Sequence, residues 1–241
     1  MKHHILQGAG LALRPALLAP LKKHAPDNLQ FLELTPPDWV GIGGRIGKDL
    51  QEFTQQYPSA CLSQSLSLGG PSMLDRNVLR DLRAFIEEHH IQVFSEALAW
   101  SADDAPLFIN LPIPSTKSAV MWTVNRIEQV QDALGLRIGI RNVTHRIAPP
   151  QVEMNEAEFI CEVVKKTGCS LHVDLHALAA NGLHFGFDPH AFLQELPISS
   201  IDYVRVGHEY DLLGDVLART HRRIARCVND IKQLNLEAVT C

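Results

Sequence analysis

Residues 116–142 read Thr-Lys-Ser-Ala-Val-Met-Trp-Thr-Val-Asn-Arg-Ile-Glu-Gln-Val-Gln-Asp-Ala-Leu-Gly-Leu-Arg-Ile-Gly-Ile-Arg-Asn, and two patterns meet inside that stretch. Over 116–134, Ala119, Val120, Thr123, Ile127, Val130 and Leu134 share one face at the helical period of about 3.6 residues. Over 136–142 a short apolar run takes over, which predicts a buried strand.

The same alternation runs through the chain. Strands are predicted at 5–10, 29–34, 60–67, 91–97, 136–142, 170–175, 201–207 and 236–240. Helical stretches fall at 14–25, 44–57, 75–90, 116–134, 153–168, 187–195 and 211–235. Asn155 with Glu158 can cap the 153–168 helix, and Gly168 sits where a terminating glycine belongs. Pro36-Pro37, Pro149-Pro150 and Pro197 punctuate loops. Eight strands with crossover helices predict an α/β fold, a TIM-type (β/α)8 barrel, which closes within about 250 residues. With its last strand reaching almost to Cys241, that barrel would lack its final outer helix. An open doubly wound sheet is the alternative, but no Gly-x-Gly-x-x-Gly follows the first strand. No repeat, low-complexity tract or linker interrupts the pattern, so residues 1–241 read as a single domain.

Bulk properties exclude several partners. The 241 residues are 46% hydrophobic and 20% charged, enough to bury a large core. A net charge of −5 offers no basic field for nucleic acid or an anionic membrane. No window approaches the roughly 18 apolar residues of a membrane span, and the apolar run at the start is too short for a signal peptide. The cysteines (Cys61, Cys161, Cys169, Cys227, Cys241) are odd in number without C-x-x-C spacing, so reduced thiols and a cytoplasmic location are expected.

In a barrel of this kind the chemistry lies where strands end and the following loops begin. That places Glu33, Ser65, Glu96, Arg141 with Asn142, Asp174 with His176, Arg205 to Glu209, and Glu237 at the mouth. Carboxylates converging there repel by about 3 kcal/mol per pair at about 5 Å and an effective dielectric near 20. A metal, the arginines Arg141 and Arg205, or protonation would each relieve the repulsion. Plainer roles stand beside these. Asp174 can simply cap the next helix and Asn142 can be a turn residue. His172 reads as a packed core histidine, and His89-His90 suit a helix C-terminus. Trp39, Trp100 and Trp122 read as packing residues, and Cys61 lacks a definable histidine partner for nucleophilic chemistry. Arg219, Arg222, Arg223 and Arg226 read as a solvated helical face.

Several segments carry a family resemblance. Residues 65–70 (Ser-Leu-Ser-Leu-Gly-Gly), 94–101 (Phe-Ser-Glu-Ala-Leu-Ala-Trp-Ser), 153–159 (Glu-Met-Asn-Glu-Ala-Glu-Phe) and 171–174 (Leu-His-Val-Asp) occur in order. Gln7-Gly8-Ala9-Gly10-Leu11, Phe31-Leu32-Glu33-Leu34, Leu111-Pro112-Ile113-Pro114 and 126–131 join them. Together they resemble the multinuclear non-heme iron-dependent oxidative enzymes, a domain-of-unknown-function family, over about residues 4–210. The resemblance implies a barrel holding two or three irons that oxidises cysteine-type residues of ribosomally made peptides with dioxygen, beside a small partner protein.

The chain departs from that pattern where the metal would bind. Leu62 and Ala97 stand where the family has histidines, and Arg141 replaces a bridging glutamate ahead of the retained Asn142. His176-Ala177 replaces an asparagine pair after Asp174, and Arg205 falls on a histidine unless a one-residue deletion brings in Gly207-His208. Arg219-Thr220-His221 is the nearest counterpart of an Asp-Thr-His, and Glu237 can match the last strand's glutamate. A guanidinium cannot lose its proton, so Arg141 puts about 7 kcal/mol of repulsion on a divalent ion at about 5 Å.

The first reading is therefore a divergent member with a degraded iron site and no cofactor, serving as a non-catalytic accessory that binds a peptide or small partner protein. Its candidate mouth site is Glu33, Glu96, Arg141, Asn142, Asp174, Arg205 and Glu237, with the arginines as counter-ions or as an anion site. The alternative is a metal-dependent oxidase of a ribosomally made peptide, with iron on a reduced set of Asp174, His176 and His208 or Glu209. A third is a metal-free enzyme of the sugar-isomerase-like barrels with Glu96 or His176 as general base.

Overall fold

A computed structural model describes residues 6–103, 105–219 and 224–229, and only the backbone of Tyr210. Strands β1 (Gly8–Ala12), β2 (Phe31–Leu34), β3 (Ser59–Ser63) and β4 (Ile91–Ala97) come first. A hairpin, β5 (Trp100–Ala102) and β6 (Pro106–Leu111), follows, then β7 (Gly139–Arg141), β8 (Ser170–Asp174), β9 (Ile201–Arg205) and β10 (Ala225–Val228). The helices are α1 (Leu18–Lys23), α2 (Gly44–Gln56), α3 (Arg76–Glu88), α4 (Lys117–Leu134), α5 (Glu156–Thr167), α6 (Leu175–Phe185), α7 (Pro189–Glu195) and α8 (Tyr210–Arg219). All strands except the hairpin pair in parallel and close in the order β1-β10-β9-β8-β7-β4-β3-β2. The (β/α)8 barrel expected from the alternating pattern is the observed architecture. Among the described residues, no helix is long and apolar enough to cross a membrane.

Local chemistry sets the boundaries. Asn155 accepts from the Glu158 N–H while the Glu158 side chain accepts from the Asn155 N–H, the capping box expected for α5. Gly135 and Gly168 end α4 and α5 with φ of 69° and 64°, a conformation that costs glycine little.

Side-chain alternation separates two cores. Leu32, Cys61, Phe94, Ile140, Val173 and Val204 face outward and pack with helix residues such as Leu50, Phe85, Ile127 and Ile160. Ala12, Phe31, Ala60, Tyr203, Ala225 and Cys227 fill the lumen.

Several expectations need correction. The closing strand is Ala225–Val228 rather than 236–240, because this segment pairs with both β9 and β1. The helix expected over 211–235 accordingly stops at Arg219, whose guanidinium donates to the Leu193 and Gln194 carbonyls at 2.7 and 3.1 Å. Arg226 lies on β10, so the arginines are not one helical face; Arg222, Arg223, His221 and Glu237 lie outside the described residues. The strand at 236–240 on which the missing outer helix rested is likewise outside them. Finally, the hairpin and α6 were not anticipated: α6 starts directly at the end of β8, where Asp174 ends the strand and caps the helix.

Candidate functional site at the barrel mouth

Alternation decides which candidates meet. Glu33 lies two residues beyond the lumen residue Phe31, and Arg205 two beyond Tyr203. Arg141 and Asp174 each follow an outward-facing neighbour, Ile140 and Val173. All four therefore point into the lumen at its C-terminal end.

Arg205 is the centre of the group. Its Nη1 donates to Asp174 Oδ2 at 3.0 Å, its Nε lies 3.2 Å from Glu33 Oε1, and its Nη2 donates to Asn229 Oδ1 at 2.9 Å. Glu33, followed by Asp174, holds the Arg205 proton more tightly than usual against the opposing effect of burial. The remaining oxygen of Glu33 accepts from the Tyr203 hydroxyl at 2.6 Å. Burial, reinforced by the Glu33 and Cys227 neighbours, pushes the Tyr203 phenol well up, so it stays a donor.

Arg141 is placed differently. Its Nη1 is 3.9 Å from Asp174 Oδ2, and its buried Nε has no hydrogen-bond partner among the described residues. Burial weakens its hold on the proton, with Asp174 acting in the opposite direction.

Asp174 performs both roles weighed for it. Oδ1 caps α6 through the Ala177 N–H at 2.9 Å while Oδ2 meets Arg205. Asn142 is a backbone clamp: its amide donates to the Asp174 carbonyl at 2.9 Å and accepts the Asp174 N–H at 2.8 Å. Those bonds fix the carboxylate that Arg205 meets.

Glu96 does not join the group. It shares parity with Phe94, on the helix-facing side of β4, and Ala97 takes the lumen position instead. There Glu96 is fully buried and accepts the Leu66 N–H at 3.3 Å. Burial raises its carboxyl to about 7, with a Ser63 hydrogen bond as the main opposing influence. Ser65 also lies off the barrel, in the loop after β3.

The remaining histidines divide between support and surface. His172 is a buried lumen residue, with Nε2 3.0 Å from Asp202 and its ring 5.2 Å from that of Tyr203. His176 is 74% exposed and pairs through Nδ1 with Glu209 Oε1 at 2.9 Å, while Glu209 Oε2 accepts the Gly207 N–H. His208 is exposed beside them. Among the described residues, no group of three or more His, Cys, Asp and Glu side chains is placed to hold a metal. The donor set does not fit a multi-iron centre: Leu62 and Ala97 offer no ligand atoms, and two fixed cations stand among the carboxylates.

Sequence reasoning missed Tyr203 and Asn229. Tyr203 could have been found from its spacing of two from Arg205 on one strand; Asn229 lay inside a predicted helix and carried no signal.

On the C-terminal face, a groove of about 750 Å³ runs between the loop after β3 and the hairpin, and none of the lumen cluster's side chains lines it. Val40, Met73, Phe108 and Ile109 line it and are exposed at 52, 88, 94 and 53%. Phe108 has φ of 57°, in the stretch where the β5–β6 register is irregular.

Comparison with known proteins agrees with the barrel and specifies its family. Residues 8–237 match the family described as RiPP precursor modification enzyme MbnB/TglH/ChrH. A UPF0276 protein of Nitrosospira multiformis is 34% identical over 216 residues, covering 90% of this chain and 76% of that protein. One from Alcanivorax borkumensis is 36% identical over 225 residues, covering 90% and 75%. Among solved structures, an L-ribulose 3-epimerase superposes with a TM-score of 0.61 at 13% identity, covering 98% of this chain and 84% of the other. Endonuclease IV from Thermus thermophilus superposes at 0.60 and 11% identity, covering 97% of each. Those structural likenesses establish the fold alone. On the family match and the relatives together, the chain belongs to the RiPP precursor modification enzyme MbnB/TglH/ChrH family.

Proposed function

We propose that this chain is a non-catalytic accessory barrel that binds a peptide or small partner protein, with fixed positive charge standing where its family's irons would lie. The observation that carries the reading is Arg205, whose guanidinium bridges Glu33 and Asp174 in the lumen. A divalent ion about 4 Å from one guanidinium meets roughly 8 kcal/mol of repulsion at an effective dielectric near 20, and Arg141 adds to it. The exposed apolar groove on the C-terminal face supports a peptide-sized ligand, as does the family's description as modifying precursor peptides. Iron content after anaerobic purification and iron reconstitution tests the proposal: no stoichiometric iron is expected, and two or more irons per chain would overturn it.

A second reading has its own observation. The exposed His176–Glu209 pair at the mouth leaves the far imidazole nitrogen open to a single ion, as a smaller, rebuilt oxidase site for a ribosomally made peptide would need. On that reading His176→Ala loses one ion that the parent chain retains; identical metal content in the two chains dismisses it.

A further inference from the structure

A second cavity, of about 390 Å³, lies between the end of β4, the segment after the hairpin, the loop from β7 to α5 and the end of α6. Its size falls within the range of small-ligand sites, about 300–1,000 Å³. Its wall is apolar: Leu98, Ile113, Met154, Phe159 and Phe185 all line it. The wall is also open to solvent in part, with Ile147 and Phe185 exposed at 55 and 39%.

The titratable side chains lining this cavity are His145 and Glu156. The His145 backbone N–H donates to Asn181, and Nδ1 of its ring lies 3.5 Å from the Asn110 carbonyl. Burial holds the imidazole below its ordinary value, so at neutral pH it carries no charge. Asn155 is engaged in the α5 cap and with Glu195.

Glu156 stands apart from these. It occupies the first turn of α5, where a carboxylate suits the helix dipole at a surface. Here burial raises its carboxyl to about 7, and no hydrogen bond or neighbouring charge opposes that effect. By accessible surface the side chain is half-buried on the cavity wall, and it makes no hydrogen bond or ion pair with the described residues, which leaves the carboxyl available to a cation entering the cavity. No Lys or Arg lines the cavity to pair with it.

We propose that this cavity binds a small apolar monoamine, its aromatic or branched aliphatic body against Leu98, Ile113, Met154, Phe159 and Phe185 and its ammonium on Glu156. The lining determines the sign of the ligand. An anionic ligand would meet Glu156 with no counter-charge, and a purely apolar one would gain nothing from the carboxyl. This site is separate from the lumen cluster, so it does not depend on whether a metal binds there.

Calorimetric titration of the full chain with 2-phenylethylamine, with 2-phenylethanol as its uncharged counterpart, tests the assignment. The amine should bind saturably and more tightly than the alcohol. Glu156→Gln should weaken the amine at least about tenfold, or about 1.4 kcal/mol, and leave the alcohol unchanged. Phe185→Ala, a partly exposed wall residue, should weaken both probes together. The proposal is overturned if neither probe saturates by millimolar concentration, if amine and alcohol bind alike, or if Glu156→Gln leaves the amine unaffected in a folded chain.

Discussion

Replacing Arg205 with methionine removes the charge and keeps much of the hydrocarbon stem, which isolates the electrostatics of the lumen. Arg205 lies 3.0 Å from Asp174 and 3.2 Å from Glu33, whose side chains are 9 and 1% exposed, so water screens neither contact strongly. At an effective dielectric near 20 each contact is about 5 kcal/mol of gross attraction. Desolvation of the guanidinium offsets much of this, and removing one partner of a buried ionic group costs a net 3–5 kcal/mol, roughly. For a chain of this length that corresponds to a loss of about 6–20 °C in Tm. Urea unfolding at neutral pH provides the assay. Arg205→Lys should fall between, since an ammonium keeps the charge but cannot serve Glu33, Asp174 and Asn229 with a planar fork. Adding Glu33→Gln alone to Arg205→Met should recover part of the loss, because Glu33 then carries no unpaired charge while Asp174 keeps Arg141 beside it. Arg141→Leu should cost less than Arg205→Met, since its closest carboxylate contact is 3.9 Å and not a hydrogen bond. An unchanged midpoint for Arg205→Met, or a larger loss for Arg141→Leu than for Arg205→Met, would refute the account.

Tyr203→Phe leaves one buried Glu33 oxygen without its 2.6 Å donor and should lower stability by about 1–3 kcal/mol in the same assay; a neutral result would mean the hydroxyl does not matter. Gly139→Ala builds a Cβ 2.0–2.4 Å from the His172 ring, which the Asp202 contact restrains, so a loss of about 1–3 kcal/mol or more is expected; a neutral alanine would mean the ring moves freely. On the surface, His190 joins α7 to α8 through Asp215 and Asp211, and the Asp215 hydrogen bond foremost raises its pKa. Its contribution is therefore complete below the unfolded value near 6.5 and lost as pH rises through the higher folded value. The midpoint difference between parent and His190→Ala should be larger near pH 5.5 than near pH 9, and a pH-independent difference would contradict the linkage.

The barrel was legible because its signals are local and repeated. The 116–134 face and the Asn155–Glu158 cap appear where the residues place them, and β2 to β4 and β7 to β9 fall within a few residues of expectation. The closing strand was not legible. Ala225-Arg-Cys-Val is short and follows a run rich in arginine, and what makes it a strand is pairing to β1 and β9 at a distance in sequence. The hairpin escaped for a related reason, since its register is irregular and a left-handed Phe108 interrupts its second strand. At the site, Glu33, Arg141, Asp174 and Arg205 could be placed by strand ends alone. Glu96 could not, because one residue of phase on β4 decides between lumen and helix layer, and only the packing of Phe94 fixes that phase.

That phase changes how the charges balance. Two lumen carboxylates, Glu33 and Asp174, face two guanidiniums, Arg205 and Arg141, so the group is neutral without Glu96. Glu96 relieves its own burden separately, through a carboxyl raised to about 7 on the other face of the strand. Two of the three ways to relieve repulsion among carboxylates, counter-charge and protonation, are thus divided between the two faces of the barrel wall. The lumen then has little net negative field with which to draw a divalent cation. The buried Arg141 Nε–H, without a hydrogen-bond partner among the described residues, is matched by an acceptor in the same state, Glu33 Oε1, which meets Arg205 only as an ion pair at 3.2 Å.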